Sequence, residues 1–177
     1  MKRKRPDDLR QVLAAMAVIL GVSAILIIQK HAATPFIMIP DPWGSNSAHP
    51  EATVRRIVDY FGSRLQDVSL TASPVEVKQE IRSAYANVVW PDLLSKWIAA
   101  PAEAPGRLTS SPWPDHINIA SITPMNDTTY AIEGNVVEIT SQELADGGIA
   151  DQYPVFMTVE NQGGNWFITD YRDALAR

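Results

Sequence analysis

Between Val12 and Ile28 the chain runs for seventeen residues, VLAAMAVILGVSAILII, without a charge. With Gln11 and Gln29 at its ends it reaches the roughly 20 residues that carry a helix across about 30 Å of hydrocarbon. The run shows no amphipathic stripe, which separates it from a core helix of a soluble fold. Lys2-Arg3-Lys4-Arg5 precedes it, whereas only Lys30 and His31 follow closely. By the positive-inside rule this asymmetry puts the N-terminus in the cytoplasm and the remainder on the extracytoplasmic side of a cell membrane. A cleaved signal peptide has the same basic start, but its apolar stretch is about 7 to 15 residues long and ends at a small-x-small site. Here the stretch is longer, and Gln29-Lys30-His31-Ala32-Ala33 offers only a weakly placed small pair. The expectation is a basic cytoplasmic tail over 1–10 and one retained span over 11–29.

Charge divides the chain at the same place. Residues 1–30 carry six basic and two acidic side chains, and residues 31–177 carry nine basic and eighteen acidic ones. A body this acidic repels phosphate backbones, so nucleic acid is not an expected partner. The chain has no cysteine, which excludes thiolate zinc sites, redox pairs, a cysteine nucleophile and a lipid-modified N-terminal cysteine. What remains is long enough for one ordinary domain.

Residues 30–50 hold four prolines, counting Pro50, among short apolar and polar pieces, and read as an extended spacer. Phe36, Ile37, Met38, Ile39 and Trp43 are more apolar than a plain spacer requires. They suit either the membrane interface or an added edge strand, and the sequence leaves both open.

From Pro50 the period is helical. Val54, Ile57, Val58, Phe61, Leu65 and Val68 form one apolar face of a helix running to about Asp67, with Arg55, Arg56, Asp59 and Arg64 on the solvated face. Ser73-Pro74-Val75-Glu76 is a capping-box signature that starts a second helix with the stripe Val77, Ile81, Ala84, Tyr85 and Val88. Trp90-Pro91 breaks it before a short third helix holding Leu93, Leu94, Trp97 and Ile98. Four prolines between 100 and 114 then make an irregular crossing.

From His116 the period becomes two. His116–Thr123 reads as a strand with Ile117 and Ile119 on one face and Ala120 and Ile122 on the other. Thr128–Thr140 is long for one strand. Tyr130, Ile132 and Val136 share a face, but the apolar phase passes to Val137 and Ile139, and that slip near Gly134 predicts a bulge. Tyr153–Glu160 alternates cleanly and turns through Asn161–Asn165 into Trp166–Tyr171, a hairpin. Ser141–Gln152 reads as a solvated, mobile loop.

Three helices followed by a four-stranded antiparallel meander give an α+β fold: a helix layer on a bent sheet, preceded by one transmembrane helix. The element order, with its closing pattern Tyr153-x-Val155-x-Met157-x-Val159, turn, Trp166-x-Ile168-x-Asp170, resembles the cone-shaped domain of the nuclear transport factor 2-like superfamily, also called cystatin-like, over about residues 51–172. With a basic tail and a single N-terminal membrane helix, the whole resembles the bitopic assembly subunits of type IV secretion and conjugation machines. The resemblance implies a domain over 51–177 with a pocket between helices and sheet. In the enzymes of that superfamily an acid on the concave face abstracts a proton beside a carbonyl. Asp170, sharing a face with Trp166 and Ile168, stands where such an acid would, with Tyr130 and Tyr153 as hydrogen-bond donors. Tyr130, Tyr153, Trp166 and Asp170 are therefore the candidate ligand-contact residues, with no catalytic residue assigned.

Other templates fail. His31, His49 and His116 offer no metal-ligand spacing, so neither metal nor cofactor is expected. Asp115 and His116 are adjacent, and neighbours on a regular strand point to opposite faces, which separates them. There is no Gly-x-Ser-x-Gly, phosphate loop or dinucleotide fingerprint. Two functions are compatible with this reading. The favoured one is a non-catalytic, membrane-anchored binding or assembly protein that meets another envelope protein or itself. The alternative is a small-ligand binder or isomerase-like enzyme using the cone pocket, which side chains filling that pocket would exclude.

Overall fold

His49-Pro50 opens the first helix because proline has no amide hydrogen to lose at a helix start and its φ is already helical. The computed structural model describes residues 49–174. The tail (1–10), the span (11–29) and residues 30–48 of the spacer lie outside the described residues. Among those described, no helix is long and apolar enough to cross a membrane. Helix α1 covers Pro50–Arg64 and tightens into a 3-10 turn at Leu65–Asp67. Helix α2 covers Pro74–Tyr85, and its capping box is complete: Ser73 accepts from the Glu76 amide while the Glu76 carboxylate accepts from the Ser73 amide. Helix α3 covers Pro91–Ala99.

Four strands follow: β1 (Trp113–Asn126), β2 (Thr129–Ile139), β3 (Asp151–Gln162) and β4 (Asn165–Asp173). They form one antiparallel sheet in chain order. One face is buried against the helices. Val54, Ile57, Val58 and Phe61 of α1, Val77, Ile81 and Tyr85 of α2, and Trp97 of α3 meet Ile117, Ile132, Val136, Val155, Met157, Val159 and Ile168 of the sheet. Fully burying side chains of this size contributes about 1.5–3 kcal/mol each. The outer edge of β4 is partly closed by the α2–α3 connection. The Ile168 amide donates to the Val88 carbonyl at 2.8 Å, and the Trp90 amide donates to the Ile168 carbonyl at 2.9 Å. This covers backbone groups that an open edge would present to another strand.

The sheet differs from the sequence expectation in where its irregularities fall. β2 pairs with β3 without interruption. The extra residues sit on β1 and β4: the β1–β2 register shifts around Asp115, Ala120 and Met125, and the β3–β4 register shifts at Thr169. The slip read at Gly134 thus belongs to the strand opposite, where Ala120 is the unpaired residue. Because one residue is inserted there, Ile122 returns to the face of Ile117 and Ile119 and pairs with Ile132. Val136 and Val137 are both buried because both faces are covered at this end: Val136 lies in the helix-side core, and Val137 with Ile139 lies outside it, near where the following segment packs on β2. That segment is itself a short helix, α4 (Ser141–Asp146), with Thr140 and Glu143 forming a second capping box, so the loop expected over 141–152 is helical in its first half.

Candidate functional site

The face of the sheet turned toward the helices is where the resemblance puts a pocket. Phe61 from α1, Tyr85 from α2, Trp97 from α3 and Tyr171 from β4 converge there. Ring centroids lie 5.0 Å apart for Phe61–Tyr85, 5.7 Å for Phe61–Tyr171 and Tyr85–Trp97, and 5.9 Å for Trp97–Tyr171. Most of these pairs are tilted or edge-to-face, the arrangement favoured by ring quadrupoles. The Tyr85 hydroxyl donates to the Pro105 carbonyl at 2.8 Å, and the Tyr171 hydroxyl donates to an Asp173 carboxylate oxygen at 3.1 Å. Burial holds both phenols well above their ordinary range, and at Tyr171 the Asp173 charge adds to it. Side chains fill the space at this point.

The four expected contact residues do not converge. Tyr130 and Trp166 meet edge to face at 5.5 Å. Tyr153 stands opposite Val136, six residues along β3 from Val159, the partner of Tyr130; at a strand's rise that separates the two tyrosines by about 20 Å. Asp170 is on the other face altogether. Thr169 is an extra residue in β4, so Ile168 pairs with Val159 and faces the helices, while Asp170 pairs with outward-facing Thr158. Tyr171, opposite Met157, takes the inward place. The expectation that Asp170 shares a face with Trp166 and Ile168 is corrected by this bulge, which inverts the side-chain alternation beyond it. Asp170 instead accepts from the Arg172 guanidinium at 3.1 Å, with both side chains well exposed.

A bulge also corrects the reading of Asp115 and His116. The register shift between Pro114 and His116 removes the regular alternation, and the His116 Nδ1 lies 2.7 Å from an Asp115 carboxylate oxygen. Carboxylate and imidazole form a hydrogen-bonded pair that a regular strand would forbid. At the same end of the sheet Glu138 and Asp151 are direct cross-strand partners. Partial burial first, and the Asp151 charge second, raise the Glu138 carboxyl above its ordinary value.

Two open depressions lie elsewhere. One of about 680 Å³ at the start of α1 is lined by residues that include His49, Arg55, Arg56 and Tyr130. There Arg55 pairs with Glu51 at 3.8 Å and Arg56 donates to Thr53 at 3.1 Å. Another of about 410 Å³ lies beside α2 and is lined by residues that include Arg64, Asp67, Glu76 and Glu80. Neither touches Tyr153, Trp166 or Asp170. Among the described residues no group of three His, Asp or Glu side chains is placed to hold a metal ion.

The sequence reading passed over Phe156. It stands 45% exposed on the outward face of β3, between Glu133 of β2 and Arg172 of β4. Its signal was present: in Tyr153-x-Val155-x-Met157-x-Val159 it is the large apolar residue on the polar phase.

No protein-family model matches the chain, and no curated protein matches it either. Among solved structures, the chain is similar to the intermembrane space region of the chloroplast protein ARC6, with a TM-score of 0.38 and 19% identity over 69% of this chain and 94% of that one. A likeness at that level does not carry a fold assignment.

Proposed function

We propose that this chain is a single-pass, membrane-anchored binding and assembly protein. On this reading residues 1–10 are cytoplasmic, residues 11–29 span the membrane, and a nuclear transport factor 2-like domain beyond the spacer engages another envelope protein, or a second copy, on the extracytoplasmic side. The observation that carries it is the interior packing of Phe61, Tyr85, Trp97 and Tyr171. Where a ligand-binding cone keeps a cavity, this fold has a cluster of aromatic rings, so recognition falls to the surface. The basic start and uncharged run of the N-terminal segment support the anchor. Bulges in β1 and β4 supply the extra twist and bending that a cone-like sheet needs.

The test is mild crosslinking of the full chain in its own membranes, compared with Tyr130→Phe, on the helix side of the sheet, and with a chain that starts at residue 31. A defined membrane partner, retained by Tyr130→Phe and lost without residues 1–30, is the expected result. Copurification of a small molecule with the full chain, weakened by Tyr130→Phe and without any protein partner, overturns the proposal.

A further inference from the structure

The helices cover one face of the sheet, and no described residue from another element covers the middle of the other. That face is laid out in rows across the four strands. Ser121, Glu133, Phe156 and Arg172 form one row, and Thr123, Ala131, Thr158 and Asp170 form the next. Phe156 is the tall residue at its centre, 45% exposed, and its neighbours in the adjoining row are short. A solvated antiparallel sheet face ordinarily carries polar side chains in the outward phase. A half-exposed phenylalanine among short side chains, rimmed by charge, has the anatomy of an interface core: an aromatic anchor with a polar surround.

Charge selects the occupant. The outward residues of the sheet include Glu133, Glu160 and Asp170 against one basic side chain, Arg172, which is already paired with Asp170 at 3.1 Å, and residues 113–173 as a whole carry ten acidic side chains and that one basic one. We infer that this outer face, centred on Phe156 with Glu133 and Asp170 beside it, docks a basic, Lys/Arg-rich polypeptide segment of another envelope protein that brings an apolar side chain to Phe156. Such a field speeds the approach of a cationic partner and opposes others. A second copy would present the same acidic face to itself, and anionic lipid headgroups are repelled. Residues 31–48 of this chain, although apolar in part, contain Asp41 and no lysine or arginine, so they lack the complementary charge. The inference rests on the binding reading proposed above and specifies its surface.

The experiment places p-benzoylphenylalanine at position 156 of the full chain in its own membranes, with a second version carrying it at exposed position 75 of α2 as the control. The crosslinked segments are sequenced by mass spectrometry. The expected result is a product from position 156 joined to a net-positive segment of another membrane protein, at least 10-fold above the yield from position 75. Combining Glu133→Lys with Asp170→Lys is expected to reduce that yield by a similar factor, in protein whose thermal melt is unchanged. Products from position 75 and none from 156 overturn this surface and leave the binding reading standing. Products from neither overturn both. A product from 156 to a neutral or acidic segment, to a second copy or to residues 31–48, or a yield indifferent to the charge reversal, overturns the basic occupant.

Discussion

Tyr85 is fully buried yet keeps a hydroxyl, and that hydroxyl has one partner, the Pro105 carbonyl. Removing it as Tyr85→Phe leaves the carbonyl without its donor in a place water does not reach, a cost of about 1–3 kcal/mol. The same residue sets an alkaline limit. Burial, then the nearby charges of Tyr153, Asp67 and Glu80, raise the phenol, so the folded state holds its proton more tightly than the unfolded state does. A raised group contributes its full stability below the unfolded value, about pH 10 for tyrosine, and loses it as pH climbs above that. Tyr171 acts in the same direction, through burial and then Asp173. Denaturant melts at about pH 8 and about pH 11 should therefore show a loss of stability in the parent that is smaller in Tyr85→Phe; parallel losses would mean that Tyr85 does not titrate with unfolding. The capping carboxylates have the opposite sign. Glu76 is lowered by its bonds to Ser73 and Glu143 by its bonds to Thr140, so what they contribute is present above the ordinary carboxylate range and fades on acidification.

Elements meet closely where side chains are absent. A Cβ at Gly62 of α1 would lie 2.8 Å from the Ile117 amide nitrogen of β1, and one at Gly134 of β2 would lie 2.7 Å from the Asn118 carbonyl oxygen. Helix propensity alone favours Gly62→Ala by up to about 1 kcal/mol, whereas overpacking costs about 1–3 kcal/mol. The backbone of a central contact cannot swing aside as a side-chain tip can, so the substitution is expected to lower the melting temperature; a rise would show that α1 and β1 have room to separate. Deleting Thr169 tests the β4 bulge directly. Without it the ladder becomes regular, with Ile168 still opposite Val159, Asp170 opposite Thr158 and Tyr171 opposite Met157, so the variant should keep its near-ultraviolet aromatic ellipticity and lose only the local bend, with a melting temperature lowered by no more than a few degrees. Loss of the aromatic signal would mean that the inward place of Tyr171 depends on the bend at Thr169 and not on register alone. These positions also mark what was legible in the sequence. Apolar stripes at three and four, the Ser73 and Pro91 starts, and the hairpin at Gly163-Gly164 announce themselves because caps, turns and periodicity need particular residue types. A bulge needs only one more residue, and Ala120 and Thr169 are ordinary strand residues without a positive φ to require glycine. The misplacement of Asp170 and the separation read into Asp115 and His116 follow from that silence. Thr140-x-x-Glu143 did carry a capping signal, but no apolar stripe follows it, so α4 looked like loop.

At the scale of the whole molecule, the proposed arrangement makes the two ends of the chain differ in compartment as well as in charge. Six basic residues precede Ile28 or follow it within two positions, and the acidic excess lies wholly beyond. If that asymmetry sets topology, tail and domain are separated by a bilayer. The absence of cysteine makes this measurable without background, because any introduced thiol is the sole one in the chain. Val75→Cys sits on a 76% exposed position at the start of α2, and Lys4→Cys lies in the basic tail. A membrane-impermeant maleimide should label Val75→Cys on intact cells and Lys4→Cys only after permeabilisation, and both proteins should stay with the membrane through alkaline carbonate while a chain starting at residue 31 is released. The reverse labelling pattern contradicts the topology. A cleaved signal peptide gives a third signature: Val75→Cys is labelled, the Lys4→Cys label is absent from the mature protein, and carbonate releases it. That outcome would leave the outward sheet face chemically unchanged but would remove the anchor that holds it near a membrane partner, so docking would then have to rest on the affinity of the face alone, without the gain in effective concentration that tethering two partners to one bilayer supplies.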